Sequence, residues 1–171
     1  GVVLFQRGSN GGWAEVGSIV GADVALGDGF GSAIAVKGDW LAVGAPTHGG
    51  TGSVYLFQKK AGRWEEKARL TAPQAVNGDQ FGAAVALDAS RLVVGAPEVD
   101  SSRGAVYAST RDPRSGKWTP LQRIGAGAEP FERLGAAVAV AGDRVLAGAP
   151  GVQRGGGNPF GGGTPPPMRN G

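Results

Sequence analysis

Apolar residues in this chain fall into short runs separated by Gly-rich or charged turns, and in the most regular of these runs bulky and small side chains alternate. Phe30, Ser32, Ile34 and Val36 alternate with Gly31, Ala33 and Ala35; Phe81, Ala83, Val85 and Leu87 alternate with Gly82, Ala84 and Ala86. A period of two predicts strands. Because both sets are largely apolar, these strands are expected to bury both faces between stacked sheets, the small face letting a neighbouring sheet come close.

The same pattern recurs. FGSAIAV from Phe30, FGAAVAL from Phe81 and LGAAVAV from Leu134 lie 51 and 53 residues apart. Each is followed by a second matched run, WLAVGAP, RLVVGAP and RVLAGAP, whose Pro46, Pro97 and Pro150 stand 16 residues after the leading Phe or Leu. SVYLFQ at 53–58 matches AVYAST at 105–110 and GVVLFQ at 1–6, and a fourth run opens at Trp13, Trp64 and Trp118. A repeat of about fifty residues with four strands reads as an array of sheets. Short KGD, DAS and AGD pieces at 37–39, 88–90 and 141–143 suit tight hairpins, and longer polar loops, QKKAGR and STRDPRSGK, join strands three and four. Adjacent strands therefore pair antiparallel, and four-stranded meanders repeated around an axis make propeller blades. The predicted fold is all-β: a partial β-propeller with about three blades' worth of strands over 1–150. Strands three and four of a first unit occupy 1–29, whole units 30–80 and 81–133, and strands one and two of a last unit 134–150.

The FG that opens strand one and the GAP that closes strand two, sixteen residues apart, resemble the FG-GAP repeat of integrin α-subunits and of many bacterial surface proteins. The likeness covers about 1–150, with Leu134 in place of one Phe, and an acidic residue precedes each FG at Asp28, Asp79 and Glu132. It implies a propeller of about seven blades, an extracellular or cell-surface setting, and recognition through the loops between strands. Three blades' worth of strands fall short of a ring. The chain is thus expected to be part of a longer propeller, whose isolated form associates through its outer blade faces. Alternatively, strands one and two of the last unit pair with strands three and four of the first and close the ring. Many repeats of this family carry a DxDGDxxD calcium loop between strands one and two. Here that connection offers at most one carboxylate, too few oxygens for calcium, so none is expected at Asp39, Asp88 or Asp143.

Composition adds exclusions. A net charge of +3 with scattered basic residues gives nucleic-acid binding little support, and no apolar run is long enough for a membrane helix. Cys is absent, so disulfides and thiolate metal sites are excluded. Residues 151–171 are rich in Gly and Pro and are expected to be disordered.

Candidate chemistry is sparse, and no catalytic, cofactor-binding or metal-binding residue is assigned. His48 is the only histidine and reads as a solvated loop residue. Asp28, Asp79 and Glu132 recur once per unit, as carboxylates that accept backbone N–H bonds in a turn should, although an acid pair for hydrolysis is the other reading. Trp13, Trp64 and Trp118 either cover the rims of their sheets or form a sugar platform. Trp40 breaks the repeat, since Arg91 and Arg144 hold its place, and it stands with His48 as a candidate contact to a partner. The function expected is a non-catalytic recognition or scaffold propeller with a protein or glycan partner. The alternatives are a propeller lyase or hydrolase whose active residues lie mostly outside these units, and a purely architectural repeat.

Overall fold

The computed structural model describes residues 1–127 and 129–151; the predicted tail from 152 onward lies outside the described residues. Twelve strands form four antiparallel sheets in chain order: β1(Val2–Arg7) with β2(Trp13–Ile19); β3(Ala33–Lys37), β4(Trp40–Ala45), β5(Ser53–Lys60) and β6(Arg63–Leu70); β7(Ala84–Leu87), β8(Arg91–Ala96), β9(Ala105–Thr110) and β10(Gln122–Ala126); and β11(Ala137–Ala141) with β12(Arg144–Gly148). The fold is all-β, and its four-stranded meanders are propeller blades. β1–β2 and β11–β12 remain separate two-stranded sheets, so within a single chain the ring is not closed by their pairing.

Alternation within the middle strands sends side chains into two different cores. Leu41, Val43 and Ala45 of β4 and Tyr55 and Phe57 of β5 pack with Val2, Ile19 and Phe30 of the preceding half-unit junction. Trp40 and Ala42 of β4 and Val54 and Leu56 of β5 point the other way and pack with Phe81, Leu92, Val94 and Tyr107 of the next blade. A buried aliphatic or aromatic side chain contributes about 1.5–3 kcal/mol, and here each blade gains that only by having neighbours. The leading Phe anchors its own blade, with Phe30 edge-on to Tyr55 at 5.3 Å and Phe81 to Tyr107 at 5.4 Å.

Three expectations need correction. Strand one starts at Ala33 and Ala84, not at the Phe, because Gly31 and Gly82 take positive φ (97° and 93°) and place the FG pair in a turn. The loop read as QKKAGR is mostly strand: β5 runs to Lys60, and only Ala61 and Gly62, both at positive φ, turn the chain into β6. Strand one is also not dry on both faces everywhere. Ile34 and Val36 are 50% and 60% exposed, whereas their counterparts Val85 and Leu87 pack into a core. The bulky face of strand one meets the preceding blade, and before β3 that blade consists of β1 and β2 alone.

The FG and GAP glycines hold successive blades together. The N–H of Gly31, Gly82 and Gly135 donates to the carbonyl of Gly44, Gly95 and Gly148 within the same blade, at 3.0, 3.1 and 2.9 Å. The carbonyl of Gly82 then lies against Gly44 of the preceding blade, and that of Gly135 against Gly95, so closely that a Cβ on either GAP glycine would overlap it. Backbone bridges Gly52–Phe81 and Gly104–Leu134 complete each junction. Replacing Gly44 or Gly95 by Ala is expected to cost about 1–3 kcal/mol or more in urea unfolding, whereas Gly12→Ala, in the exposed β1–β2 turn, should leave stability unchanged. Equal midpoints for all three variants would refute the role of the contact.

Candidate functional site

Two kinds of segment gather at one end of the blades: the turns that enter strand one, and the loops that follow each GAP. In the turn before β3, the Asp28 Oδ2 atom accepts the Ala25 N–H at 2.7 Å and lies 2.8 Å from His48 Nδ1. The equivalent Asp79 accepts the Val76 N–H at 2.8 Å. This is the turn-capping role expected of these carboxylates.

His48 is not a solvated loop residue. Its side chain is only 13% exposed, edge-on to Tyr55, and tied at both ring nitrogens. Arg69 Nη1 lies 2.8 Å from Nε2, and because a guanidinium only donates, Nε2 accepts and Nδ1 carries the proton given to Asp28. The same Nη1 donates to Asp23 Oδ2 at 2.6 Å, and the Tyr55 hydroxyl donates to Asp23 Oδ1 at 2.7 Å. The Tyr55 hydrogen bond, with the Arg69 guanidinium beyond it, holds the Asp23 carboxyl below its ordinary value. The Ala25 N–H and then His48 do the same for Asp28. Burial, reinforced by Asp23, pushes the Tyr55 phenol well above its usual range. The Arg69 guanidinium occupies the nitrogen through which a base would work. Chemically the cluster is a lock that fastens the 21–29 turn and the 47–52 loop to β5 and β6.

One blade further on, the same positions are filled differently and the site opens. Val99 replaces His48 and is buried, Gln74 stands where Asp23 does, and Tyr107 and Arg123 correspond to Tyr55 and Arg69. Arg123 turns instead to Asp100, 3.0 Å away in the post-GAP loop. The result is a cleft of about 490 Å³ whose polar wall is made by Gln74, Asp79, Asp100, Tyr107, Gln122 and Arg123. Its rim is strained. Asp100, Ser101 and Ser102 hold φ of 53°, 60° and 59°, a conformation that costs non-Gly residues about 1–3 kcal/mol each. Glu98 anchors this loop by accepting from Ser102 Oγ at 2.5 Å and from Arg133 Nη2 at 2.6 Å. Nothing in the string EVDSSR announces this; the only signal available was that the two post-GAP loops differ in length and charge.

Trp40 is the second correction. It lies at the opposite end of the blades, 9% exposed, edge-on to Trp118 at 5.6 Å and covered by the Arg111 guanidinium at 5.4 Å. It breaks the repeat because it fills the junction between two blades, and as a buried core residue it does not offer itself to a partner. The other tryptophans diverge. Trp13 is 70% exposed, Trp64 is half-buried beneath Lys59, and Trp118 precedes β10, forming an isolated bridge to Arg111 because Pro120 interrupts the ladder. Asp88, considered above for calcium, accepts the N–H groups of Ser90 and Arg91 at 2.8 and 2.7 Å and closes its hairpin.

Trp40→Ala is expected to cost about 3–5 kcal/mol in urea unfolding, as loss of a buried aromatic does; a wild-type midpoint would return Trp40 to the surface. The depressed carboxyls set a pH dependence for the lock. Their contribution is present above the ordinary aspartate range and is lost only as pH falls through the lowered folded values. Amide protection of residues 21–29 should therefore hold from neutral pH down into that range and fall below it. A loss already complete at pH 6 would place the control on another group.

Comparison with known proteins agrees with the repeat architecture. The FG-GAP repeat family matches residues 13–57 and 64–109, together more than half of the chain. Human (Homo sapiens) integrin alpha-X is 32% identical over 130 residues, an alignment covering 66% of this chain. The chain spans only 11% of that relative's length. The blade-forming strands, the paired glycines and the matched repeats together place the chain in the FG-GAP repeat family.

Proposed function

We propose that this chain is a non-catalytic recognition segment of a β-propeller, presenting the open cleft and its post-GAP loop to a protein or glycan partner. The observation that carries this reading is the contrast between two equivalent junctions. One is filled by the mutually satisfied His48, Asp28, Asp23, Arg69 and Tyr55, and the next is left open with polar groups along its wall. A rigid scaffold with one loop in strained conformation is how repeat proteins display a binding surface. The lock argues against acid–base chemistry, since each ring nitrogen of its histidine is occupied.

Likeness to the FG-GAP family and to an integrin α-chain supports an extracellular or cell-surface setting. Among the described residues no helix is long and apolar enough to cross a membrane.

A glycan array and a panel of purified surface proteins test the proposal. A ligand bound by the chain should lose about tenfold or more in affinity with Arg123→Ala or Asp100→Ala, the size expected of a central contact. His48→Ala should change affinity little. Absence of any ligand, or ligands indifferent to both cleft substitutions, would remove the cleft as the recognition site.

A further inference from the structure

The hairpin end of the two four-stranded blades, opposite the cleft, is strongly basic. Its four turns, residues 37–40, 58–64, 88–91 and 110–118, carry eight Lys and Arg against three Asp. The turns and loops at the other end, residues 21–29, 47–52, 73–80, 98–104 and 129–133, carry seven Asp and Glu against two Arg. These cations are scattered along the sequence, and the antiparallel meander gathers them. Every connection from strand one to two, and from three to four, returns to the same end. Within each blade the two hairpins are tied together, the Lys59 N–H donating to the Asp39 carbonyl and the Arg111 N–H to the Ser90 carbonyl, both at 2.7 Å. Between blades, the Arg111 guanidinium lies over Trp40.

Pairing also differs between the two ends. At the loop end Arg69, Arg123 and Arg133 each meet a carboxylate. At the hairpin end Asp88 and Asp112 turn inward, each accepting two N–H groups of its own turn, and Asp88 also meets Arg91 at 3.7 Å. Lys37, Arg63, Arg114 and Lys117 are exposed and have no ion-pair partner among the described residues. Where the two blades meet on this end, a pocket of about 320 Å³ has Lys37, Asp39, Gln58 and Arg111 as its polar wall. The Arg111 Nε atom is buried and has no hydrogen-bond partner among the described residues. A buried donor left unpaired is a cost that a bound acceptor relieves.

We propose that this end binds a sulfated linear glycan, one sulfate seated in the pocket beside Lys37 and Arg111 and further sulfates on the exposed cations of the neighbouring turns. The wall of the pocket selects among polyanions. Asp39 repels a chain that offers only anionic groups, but it accepts from the hydroxyls that a sugar ring carries between its sulfates. The Gln58 amide serves either group. A guanidinium is weakly hydrated and donates as a fork, which suits it to an oxyanion. None of the four turns exposes a large apolar side chain. A lipid surface therefore finds no wedge there, and a single nucleic-acid strand no platform for its bases. This surface goes beyond the reading of the cleft and does not depend on what the cleft binds.

Titration of the 171-residue chain with a size-fractionated heparin oligosaccharide, at about 0.15 M ionic strength, tests the proposal. The oligosaccharide should bind, and its desulfated form should bind at least about tenfold more weakly, as loss of a central contact does. Joint replacement Lys37→Gln, Arg114→Gln and Lys117→Gln, all at exposed positions, should reduce affinity by about tenfold or more with an unchanged urea midpoint. Lys67→Gln, which removes an exposed cation of β6 outside these turns, should leave affinity as it was. No binding, equal binding of the desulfated chain, or an equal loss with Lys67→Gln overturns the proposal. Tighter binding to a DNA duplex of matched charge, or to phosphatidylserine vesicles, also overturns it and gives the surface to that partner instead. Each of these results leaves the cleft untouched, since the cleft is tested through Arg123 and Asp100.

Discussion

The contact between one blade's GAP glycine and the next blade's FG glycine sets the geometry of everything else. The FG glycine must meet three demands at once. It takes a positive φ, it donates its N–H to the GAP carbonyl of its own blade, and its carbonyl rests on the bare Cα of the blade before. A side chain at either position would hold the sheets apart. With the sheets apart, Val54, Leu56, Leu92 and Val94 would lose the density of contact that makes their burial worth having. The motif is thus a spacing device, and its sixteen-residue interval is the length of one hairpin measured from the turn that enters it to the Pro that leaves it.

Stacking at that distance makes each blade dependent on its neighbours. Alternate residues of β4 and β5 supply two separate cores, so neither core belongs to a single repeat. Stability in such an array is a sum over junctions. Where a junction is incomplete, at the face of Ile34 and Val36 and along β12, apolar side chains stand in solvent. At the equivalent complete junctions Val85 and Leu87 pack against a core and Ala42 and Val93 are fully buried, so the exposure follows position among the described residues.

The two junctions differ through small departures from the repeat. Both junctions described carry a Tyr, an Arg and a turn aspartate at matching places. At one, His48 and Asp23 close the space with a hydrogen-bonded network; at the other, Val99 and Gln74 leave it open and free Arg123 to reach Asp100. A scaffold that fixes backbone positions lets two substitutions convert a lock into a cleft. The strained Asp100–Ser102 stretch is tolerated because Glu98 and the blade beneath it hold both ends of the loop.

Strand identity, the four-strand unit, the hairpin order and the turn role of Asp28 and Asp79 were legible in the sequence, because each rests on local periodicity or turn chemistry repeated in several copies. The residues at the candidate site were not. His48 looked isolated because its partners Asp23, Asp28 and Arg69 lie 20 or more residues away, and Trp40 read as a candidate partner contact because nothing in its own strand reveals that Trp118 and Arg111 cover it. A strand's pattern determines which side chains share a face, and this chain's sequence settled that much by itself. What stands opposite the face depends on how the sheets stack. Contact between residues distant along the chain is a property of three-dimensional packing, so only the tertiary structure decided which polar groups are satisfied, which apolar ones are covered and where a cleft is left.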